Sequence, residues 1–277
     1  MTDEVEFRPN LFRGTAADYD RYRLGFPQSL VDDLLHRVGA TGDGVLLDMA
    51  CGTGQVAFAL AGAFREVWAV DQEPDMIRLV REKARAAGTG RVRAVVADAE
   101  GFAPPATFDL VTVGNAFHRL HRDAVARNIF QWLNPGGYLA LLWSDSPWHG
   151  DAPWQAAFSK VLDRWRHTKG AGRVPAGWEE PRRHRPDRQV LAGAGFESRG
   201  EFRFLTAHRW TVDALIGFAY STSFLPREVV GASAPDFESE MWTALDRFQT
   251  RAGLHQVMDD AYELYMRPGG RYQDSLR

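Results

Sequence analysis

Apolar residues along the chain occur in two patterns, helical spacing and short continuous runs. Between Pro27 and Gly39 they recur at the spacing of one helix face, with proline at the start and glycine at the end, which predicts a helix. Residues 45–47 form a continuous apolar run that ends at Asp48, and a turn at residues 50–54 separates this run from an alanine-rich segment of helical character. The first unit is therefore predicted to be strand, glycine turn and helix.

The same unit repeats along the chain, and each further apolar run again ends at a polar or turn-forming residue. The second run ends at Asp71, the third at Asp98 and the fourth at residues 114–115. A fifth run, residues 138–143, follows a turn of asparagine, proline and two glycines at residues 134–137. Strands this apolar, separated by helical segments, predict an α/β fold whose mostly parallel sheet is covered on both faces.

The composition is that of a folded protein without a strong charge bias. The 277 residues are 45% hydrophobic and 25% charged, and the formal net charge of -3 gives no overall field that would attract nucleic acid or an anionic membrane. The single cysteine, Cys51, excludes an internal disulfide and a multi-cysteine metal site. No stretch approaches the roughly 20 apolar residues of a membrane span, and the acidic start is unlike a signal peptide, so we expect a cytoplasmic protein.

The polar strand ends mark the expected ligand site. In a doubly wound sheet, ligands bind outside the carboxyl ends of the strands. Four polar residues fall there: Asp48, Asp71, Asp98 and Asn115. The glycine turn would let the backbone approach a ligand closely. Asp71 is placed to accept hydrogen bonds from the hydroxyls of a nucleoside sugar, and Asp98 followed by the small Ala99 suits an adenine edge and a flat apolar contact.

Ordered motifs along the first half of the chain resemble those of class I S-adenosylmethionine-dependent methyltransferases. The motifs are residues 48–54, with the sequence Asp-Met-Ala-Cys-Gly-Thr-Gly, then Asp71, Asp98 and residues 108–111. The usual turn of that family is acid-x-Gly-x-Gly-x-Gly, and this chain has Ala50 in place of the first glycine. Within the family, residues 12–19 with Tyr22, Arg23, Phe26 and Pro27 resemble the opening of the trans-aconitate methyltransferase-like group.

The resemblance implies S-adenosyl-L-methionine as the cofactor and a role for each matching position. Asp48 and Gly52 would face the methionine amine, and Asn115 would flank the sulfonium. Tyr19 and Arg23 would form a lid, with Arg23 also a candidate partner of the methionine carboxylate. The full expected cofactor set is Tyr19, Arg23, Asp48, Ala50, Gly52, Gly54, Asp71, Gln72, Met76, Asp98, Ala99 and Asn115.

The resemblance also gives an expected domain organisation. The fold class is α/β, a Rossmann-like seven-stranded mostly parallel sheet with helices on both faces and a cap formed by insertions. Residues 144–185 are rich in Pro, Trp, His and Arg and break the strand and helix pattern. The expected parts are an N-terminal lid segment (1–26), the S-adenosylmethionine-binding core (27–143), a cap insertion (144–185), and the end of the core (186–277) with a second cap insertion at about 209–255.

Two other functions remain open at this stage. Gly52, Gly54 and Ala57, followed by an acid at position 71, also fit a dinucleotide fingerprint, so an NAD(P)-dependent oxidoreductase is the main alternative. Asp48 favours the interpretation as a methyltransferase, because a carboxylate attracts an ammonium group and repels a pyrophosphate. A non-methylating small-molecule-binding member of the same fold is the second alternative, because a fold does not fix a function.

The expected acceptor is a small molecule rather than nucleic acid. Methyltransferases acting on base amines carry a Pro-Pro-aromatic turn after the fourth strand, whereas residues 114–118 read Gly-Asn-Ala-Phe-His. Methyltransferases acting on cytosine C5 need a thiolate there, and the only cysteine of this chain lies in the glycine turn. The basic run at residues 182–185 is interpreted as a solvated face. No metal is expected, because no set of His, Cys and acidic residues shows ligand spacing. Oligomeric state is left open.

Methyl transfer from a sulfonium mainly needs alignment of the reacting groups, and a base is optional. Where the acceptor must lose a proton, His118 is the candidate base and therefore the catalytic candidate. His121 and His149 are reserves, and the alternative is that His118 only satisfies the turn. Aromatic residues after the fifth strand predict an apolar or aromatic acceptor, while Arg119 and residues 182–185 keep a carboxylate open. The expected acceptor-site residues are Phe117, Arg119, Trp148, Trp178, Tyr220, Ser223 and Phe224.

Overall fold

The computed structural model describes residue 5, residues 7–249 and residues 253–269. Within them, seven strands form one sheet in the spatial order β3-β2-β1-β4-β5-β7-β6. The strands are β1 (Val45–Met49), β2 (Glu66–Asp71), β3 (Val92–Val96), β4 (Phe108–Gly114), β5 (Leu133–Trp143), β6 (Glu197–Trp210) and β7 (Leu254–Met266). Strands β1 to β5 pair in parallel, and β7 runs antiparallel to both β5 and β6. This arrangement confirms the predicted α/β class with a mostly parallel sheet.

Eleven α-helices lie within the described residues. They are α1 (Ala16–Tyr22), α2 (Gln28–Val38), α3 (Gln55–Leu60), α4 (Pro74–Ala86), α5 (Arg122–Trp132), α6 (Pro153–Thr168), α7 (Glu180–His184), α8 (Asp187–Gly193), α9 (Val212–Tyr220), α10 (Arg227–Val230) and α11 (Ala234–Leu245). Short 3-10 turns occur at Ala61–Ala63, Phe117–Arg119, Gly231–Ser233 and Asp246–Phe248. In this part of the chain no helix combines the length and the apolar character that a membrane crossing requires.

Strand β1 is buried along its whole length because helices cover both faces of the sheet. Leu47 and its neighbours on one face pack into a hydrophobic cluster with residues of α5 and α8. Leu46 on the other face packs into a second cluster with residues of α2, α3 and α4. The continuous apolar run that predicted this strand therefore reflects burial on two sides rather than one.

A third hydrophobic cluster forms the cap, and it is built mainly from α6, α9, α11 and the first part of β7. The prediction that residues 144–185 lack regular structure is wrong over α6, which spans 16 residues. The buried face of this helix follows helical spacing, with Trp154, Phe158, Val161, Leu162 and Trp165. The proline-, histidine- and arginine-rich flanks obscured that periodicity in the sequence.

Some boundaries also differ from the predicted ones. The sequence predicts strands near residues 201–208 and around residues 261–266, and β6 and β7 exceed both ranges because the two strands pair with each other over almost their full lengths. The sequence also predicts a helix near residues 238–251, whereas α11 begins and ends earlier, and residues 250–252 lie outside the described residues. Thr211 is a predicted helix cap, and this is confirmed, since Ala214 N donates a hydrogen bond to Thr211 Oγ1 at 3.1 Å.

Candidate active site

A cavity of about 630 Å³ opens at the carboxyl ends of the parallel strands. The turns after β1, β2, β3 and β4 form one side, and the N-terminal segment forms the other. Nine residues of the expected cofactor set line it, namely Tyr19, Ala50, Gly52, Asp71, Gln72, Met76, Asp98, Ala99 and Asn115. The remaining three, Arg23, Asp48 and Gly54, are not among its lining residues. The size is within the range of ordinary small-molecule sites.

The turn after β1 passes through left-handed backbone conformations. Gly52 and Gly54 have φ angles of 55° and 81°, and Ala50 has a φ of 52°. An alanine in this region carries a strain of about 1 kcal/mol that glycine would avoid. A Cβ atom on Gly52 would lie 3.5 Å from the ring of Tyr19, so the bare glycine backbone lets this ring lie close over the turn.

Asp71, the last residue of β2, is held in place by two backbone amides. Gly52 N donates to Oδ2 at 2.8 Å and Glu73 N donates to Oδ1 at 2.9 Å. Burial raises the pKa of Asp71, and the two amide bonds oppose that rise. Each oxygen keeps a further lone pair, so the oriented carboxylate can accept hydrogen bonds from ligand hydroxyls.

Asp48 lies beneath the turn instead of in the cavity wall, which corrects its expected position beside the ligand. Thr112 Oγ1 donates to its Oδ1 at 2.8 Å, and Ala57 N donates to its Oδ2 at 3.0 Å. Burial raises the pKa of Asp48 to about 7. The side chain therefore ties β1 to β4 and to the start of α3, and Gly54 precedes that helix as its N-cap residue.

The wall formed after β3 is mostly apolar. Ala99 and Met76 are buried, and Val96 and Ala97 line the cavity beside them. Asp98 is exposed, and its Oδ1 accepts a hydrogen bond from Gly101 N. This wall combines a flat apolar surface with an acidic rim, which is the arrangement expected for an adenine ring.

Asn115 fixes the turn after β4 in an unusual conformation. Its φ is 51°, which a residue with a side chain rarely adopts. Its Oδ1 accepts from Ser144 N at 3.0 Å, and its own backbone N donates to Leu142 O at 2.9 Å. The ends of β4 and β5 are thereby joined next to the cavity.

Helix α1 covers the glycine turn, but Arg23 points away from the cavity. Its Nε donates to Ser221 Oγ at 2.8 Å, and its guanidinium lies 4.1 Å from the ring centroid of Phe218. Burial lowers the pKa of Arg23. The expected contact between Arg23 and a cofactor carboxylate is therefore corrected to a link between α1 and α9.

Further contacts dock α1 on the cap and on the core. Arg227 donates to both carboxylate oxygens of Asp18, at 2.8 and 3.0 Å, and Asp18 is buried. Lys83 of α4 donates to Asp20 at 2.7 Å. A Cβ atom on Gly217 would lie 2.2 Å from Tyr22, so α9 can receive that ring only because position 217 is glycine.

His118 is buried behind the cavity wall and does not line it. Arg119 Nε donates to His118 Nε2 at 3.1 Å, which occupies the nitrogen lone pair that a base would use. Burial and the charges of Arg119, Arg182 and Arg122 hold the pKa of His118 well below its usual range. The imidazole is therefore neutral and poorly placed as a proton acceptor, in contrast to the expected base.

Of the expected acceptor-site residues, Arg119 alone lines the cavity. Phe117 is fully buried in the sheet core, and Trp178 packs on His118 with ring centroids 5.2 Å apart. Trp148 and Phe224 pack together in the cap, where Tyr220 donates to Glu238 at 2.9 Å. The buried Ser223 also lies in the cap, so the tryptophans and the later aromatic residues do not form one pocket.

The basic run at residues 182–185 is engaged in ion pairs. Arg182 pairs with Asp187 at 2.8 Å, Arg183 with Glu179 at 2.7 Å and Arg185 with Asp123 at 2.6 Å. These ion pairs of partly exposed arginine side chains fit the interpretation of the run as a solvated face. His149 is similarly engaged, 3.6 Å from Asp145, whereas the other reserve histidine, His121, lines the cavity.

Several lining residues were not singled out from the sequence. They are Phe7, Arg8, Phe12, Arg13, Glu73, Glu100 and Leu120. Phe12 and Arg13 belong to the motif that carries the N-terminal resemblance, which was the available signal. Among the described residues, no group of three or more His, Cys, Asp and Glu side chains could hold a metal ion.

Comparison with known protein families agrees with this arrangement. The family described as methyltransferase domain matches residues 46–137, from β1 to the turn before the fifth apolar run. A ubiquinone/menaquinone biosynthesis C-methyltransferase of Shewanella woodyi is 30% identical over 211 residues, which cover 68% of this chain and 81% of that protein.

Two further comparisons mark the extent of the similarity. An uncharacterized methyltransferase-like protein of Schizosaccharomyces pombe is 26% identical over 60% of this chain. The chain spans between 60% and 62% of the length of this and two other curated relatives. The solved structure of the YcgJ protein from Bacillus subtilis has a TM-score of 0.55 at 16% identity, covering 88% of this chain and 100% of that one, and shows a shared fold.

Proposed function

The chain belongs to the class I S-adenosylmethionine-dependent methyltransferases, and on that premise we propose that it methylates a small-molecule acceptor bound beside Arg119. The family implies S-adenosyl-L-methionine as the methyl donor. The narrower resemblance to the trans-aconitate methyltransferase-like group stays a prediction. Methyl transfer is proposed over hydride transfer and over binding without chemistry.

The observation that carries the proposal is the oriented carboxylate of Asp71 above the glycine turn. It faces a cavity of ordinary ligand size with two backbone-fixed oxygens that can each accept a ribose hydroxyl. The wall of Met76, Val96, Ala97 and Ala99 fits a purine face. These features fit the nucleoside part of the donor, and Asn115 and Tyr19 would flank its methionine part.

The residues of this chain contribute mainly positioning and the exclusion of water. When bound, the cofactor supplies a methyl group that is already activated on a sulfonium. Tyr19 lies over the glycine turn, and the docked α1 shields this side of the cavity from solvent. Alignment and water exclusion are the effects that an in-line displacement with an activated leaving group needs most.

The acceptor is proposed to be a small molecule with an apolar or aromatic body or a carboxylate. Phe7, Phe12 and Arg119 line the cavity together, with the Arg119 guanidinium 5.8 Å and 5.0 Å from the two ring centroids, which supports both features. Relatives named as ubiquinone/menaquinone biosynthesis C-methyltransferases make carbon one candidate for the methylated atom. Oxygen and nitrogen remain equal candidates.

Calorimetry with the purified protein tests the donor. We expect S-adenosylmethionine and its demethylated product, S-adenosylhomocysteine, to bind, and NADH and NADPH not to bind. Tight binding of a nicotinamide cofactor without binding of S-adenosylhomocysteine would replace this proposal with an oxidoreductase. Binding of the donor without methylation of any acceptor in a broad panel would favour a non-methylating member of the fold.

A further inference from the structure

Three buried N–H groups beside the turn after β4 have no hydrogen-bond acceptor among the described residues. They are Nδ1 of His118, Nη1 of Arg119 and Nε1 of Trp143. His118 Nδ1 carries the proton, because Nε2 accepts from Arg119 Nε and the ring is neutral. The rings of His118 and Trp143 have centroids 5.9 Å apart, so the three donors belong to one neighbourhood.

Buried polar groups in folded proteins are nearly always paired, and an unpaired one costs about 1 to 3 kcal/mol. Three such groups lie in one neighbourhood here, and all of them are donors. Their shared requirement is an acceptor of hydrogen bonds, and an oxygen anion meets it best.

The charge around these donors points the same way. Arg119 forms no ion pair within the described part of the chain, and its guanidinium lies 5.0 Å from the ring centroid of Phe12 and 5.9 Å from that of Trp178. Burial and the charge of Arg23 lower the pKa of Arg119 to about 10. A guanidinium held among aromatic rings and beside a second cation is electrostatically unbalanced until an anion approaches.

Arg119 is also the member of the group that reaches the cavity. The other arginines near His118 are partly compensated, since Arg122 and Arg182 share the one carboxylate of Asp187, at 2.9 and 2.8 Å. Arg119 has no such partner among the described residues, and it lies at the cavity wall. The neighbouring rings of Phe7, Phe12 and Trp178 offer flat apolar contacts.

We propose that the acceptor carries a carboxylate, and that Arg119 binds it where this side chain lines the cavity. His118 and Trp143 lie behind that wall. His118 accepts the hydrogen bond from Arg119 Nε and is therefore a positioning residue, and no proton is transferred to it. The inference rests on the proposed methyl transfer and narrows its acceptor class. A carboxylate could also come from the methionine part of the cofactor, and the test separates these two sources.

The test uses the full chain, with tryptophan labelled by ¹⁵N, loaded with S-adenosylhomocysteine. The probe is benzoate, with benzamide as its neutral counterpart, and the readout is the indole N–H signal of Trp143, identified by its loss in Trp143→Phe. We expect benzoate to shift this signal saturably and benzamide to bind at least about tenfold more weakly, the scale of one charge-assisted hydrogen bond.

Variants distinguish the sources of the anion. Arg119→Gln should weaken benzoate at least about tenfold while calorimetry with S-adenosylhomocysteine stays within about twofold of wild type, and Arg119→Lys should recover part of the benzoate affinity. Arg183→Gln is the matched control, because Arg183 is exposed and paired with Glu179, and it should bind both ligands as wild type does. Arg119→Lys also covers the case in which the glutamine variant fails to fold.

Three results would overturn the inference. Benzoate and benzamide could bind equally, benzoate could leave the Trp143 signal unmoved, or Arg119→Gln could lose S-adenosylhomocysteine together with benzoate, which would assign the guanidinium to the cofactor. Failure of wild type to bind S-adenosylhomocysteine would instead remove the proposed function. The benzoate titration of the unloaded protein would still decide whether the carboxylate site exists.

Discussion

The two ends of the cavity, at the glycine turn and at Arg119, differ in which polar groups the chain fixes and which it leaves without a hydrogen-bond partner. At the glycine turn, both oxygens of Asp48 and both oxygens of Asp71 accept hydrogen bonds from the chain. Around Arg119, three buried N–H groups have no acceptor among the described residues. The glycine turn is not fully paired either, since Thr53 Oγ1 and Glu73 Oε1 are also buried without a partner. The difference is that its two carboxylates are fixed by the chain, whereas the unpaired groups around Arg119 are all N–H donors that need an acceptor.

This difference suggests a division of labour. Carboxylates that the chain itself holds by hydrogen bonds keep one geometry with or without a ligand, which suits a donor shared by a whole family. An end with unpaired donors penalises every ligand that cannot accept their hydrogen bonds, which suits selection of one acceptor class. Perturbing the two ends should therefore have different consequences.

The largest expected effect comes from removing the oriented carboxylate of Asp71. Asp71→Ala should weaken binding of S-adenosylhomocysteine by about 1.5 to 3 kcal/mol, because hydrogen bonds to a charged group are lost. Calorimetry measures this change directly. Asp75→Ala is the control, since Asp75 is exposed and near Arg78, and its affinity should match wild type. An unchanged affinity in Asp71→Ala would remove Asp71 from the donor site.

The next effect concerns the pH dependence of the free energy of unfolding, to which Asp48 contributes. Burial raises the pKa of Asp48 to about 7 from 3.8, so between these pH values the folded chain holds a proton that the unfolded chain has released. Wild type should therefore lose stability as the pH rises through this window. Relative to Asp48→Asn, the loss between about pH 5 and pH 7 should be about 2 kcal/mol.

Urea unfolding at the two pH values gives this difference. The comparison with Asp48→Asn isolates one carboxyl group, because all other titrating groups are common to both proteins. Asp75→Asn, at an exposed carboxylate, should keep the wild-type slope. Equal slopes in wild type and Asp48→Asn would mean that Asp48 is ionised in the folded protein throughout the window.

The smallest expected effect is on turnover, and it sharpens the role of His118. As a residue that positions Arg119, His118 should contribute roughly tenfold, whereas a general base would contribute about 10² to 10⁴. His118→Ala should then keep its affinity for S-adenosylhomocysteine. Because its pKa lies well below the usual range, wild type should show no His118-dependent rise in rate between about pH 6 and pH 7.

Rate measurements across this pH range with both proteins decide between the two roles. His149→Ala serves as a control at an exposed histidine and should behave as wild type. A rise in rate near pH 6 to 7 that is present in wild type and absent in His118→Ala would show that His118 acts as a general base.

Local sequence patterns predicted the parts of the site that depend on single strands and turns. The positions of Asp71, Gly52 and Ala99 at the cavity follow from strand ends, because parallel strands place their carboxyl ends at one edge. The cap was less accessible, since α6 is buried by partners from α9 and α11 that lie far along the chain.

The environment of His118 could not be predicted for the same reason. Its spacing after Asn115 predicts a place near the site, but its chemistry depends on Arg182, Trp143 and Trp178. Those residues come from segments whose docking no local pattern reveals. Asp48 shows a related case, because its acidic side chain predicts a contact with the ligand. Its hydrogen bonds with Thr112 and Ala57 hold it beneath the glycine turn instead.

Strand β7 contributes side chains to all three hydrophobic clusters. Leu254 and Met258 belong to the cap, Tyr262 and Leu264 to one face of the sheet, and Tyr265 to the other. The cap is thus not an interchangeable attachment, because part of its interior is the same continuous strand that completes the sheet. Exchanging caps between relatives to change the acceptor would require grafting β6 and β7 as well, so new specificity should arise more readily from substitutions near Arg119 than from recombination.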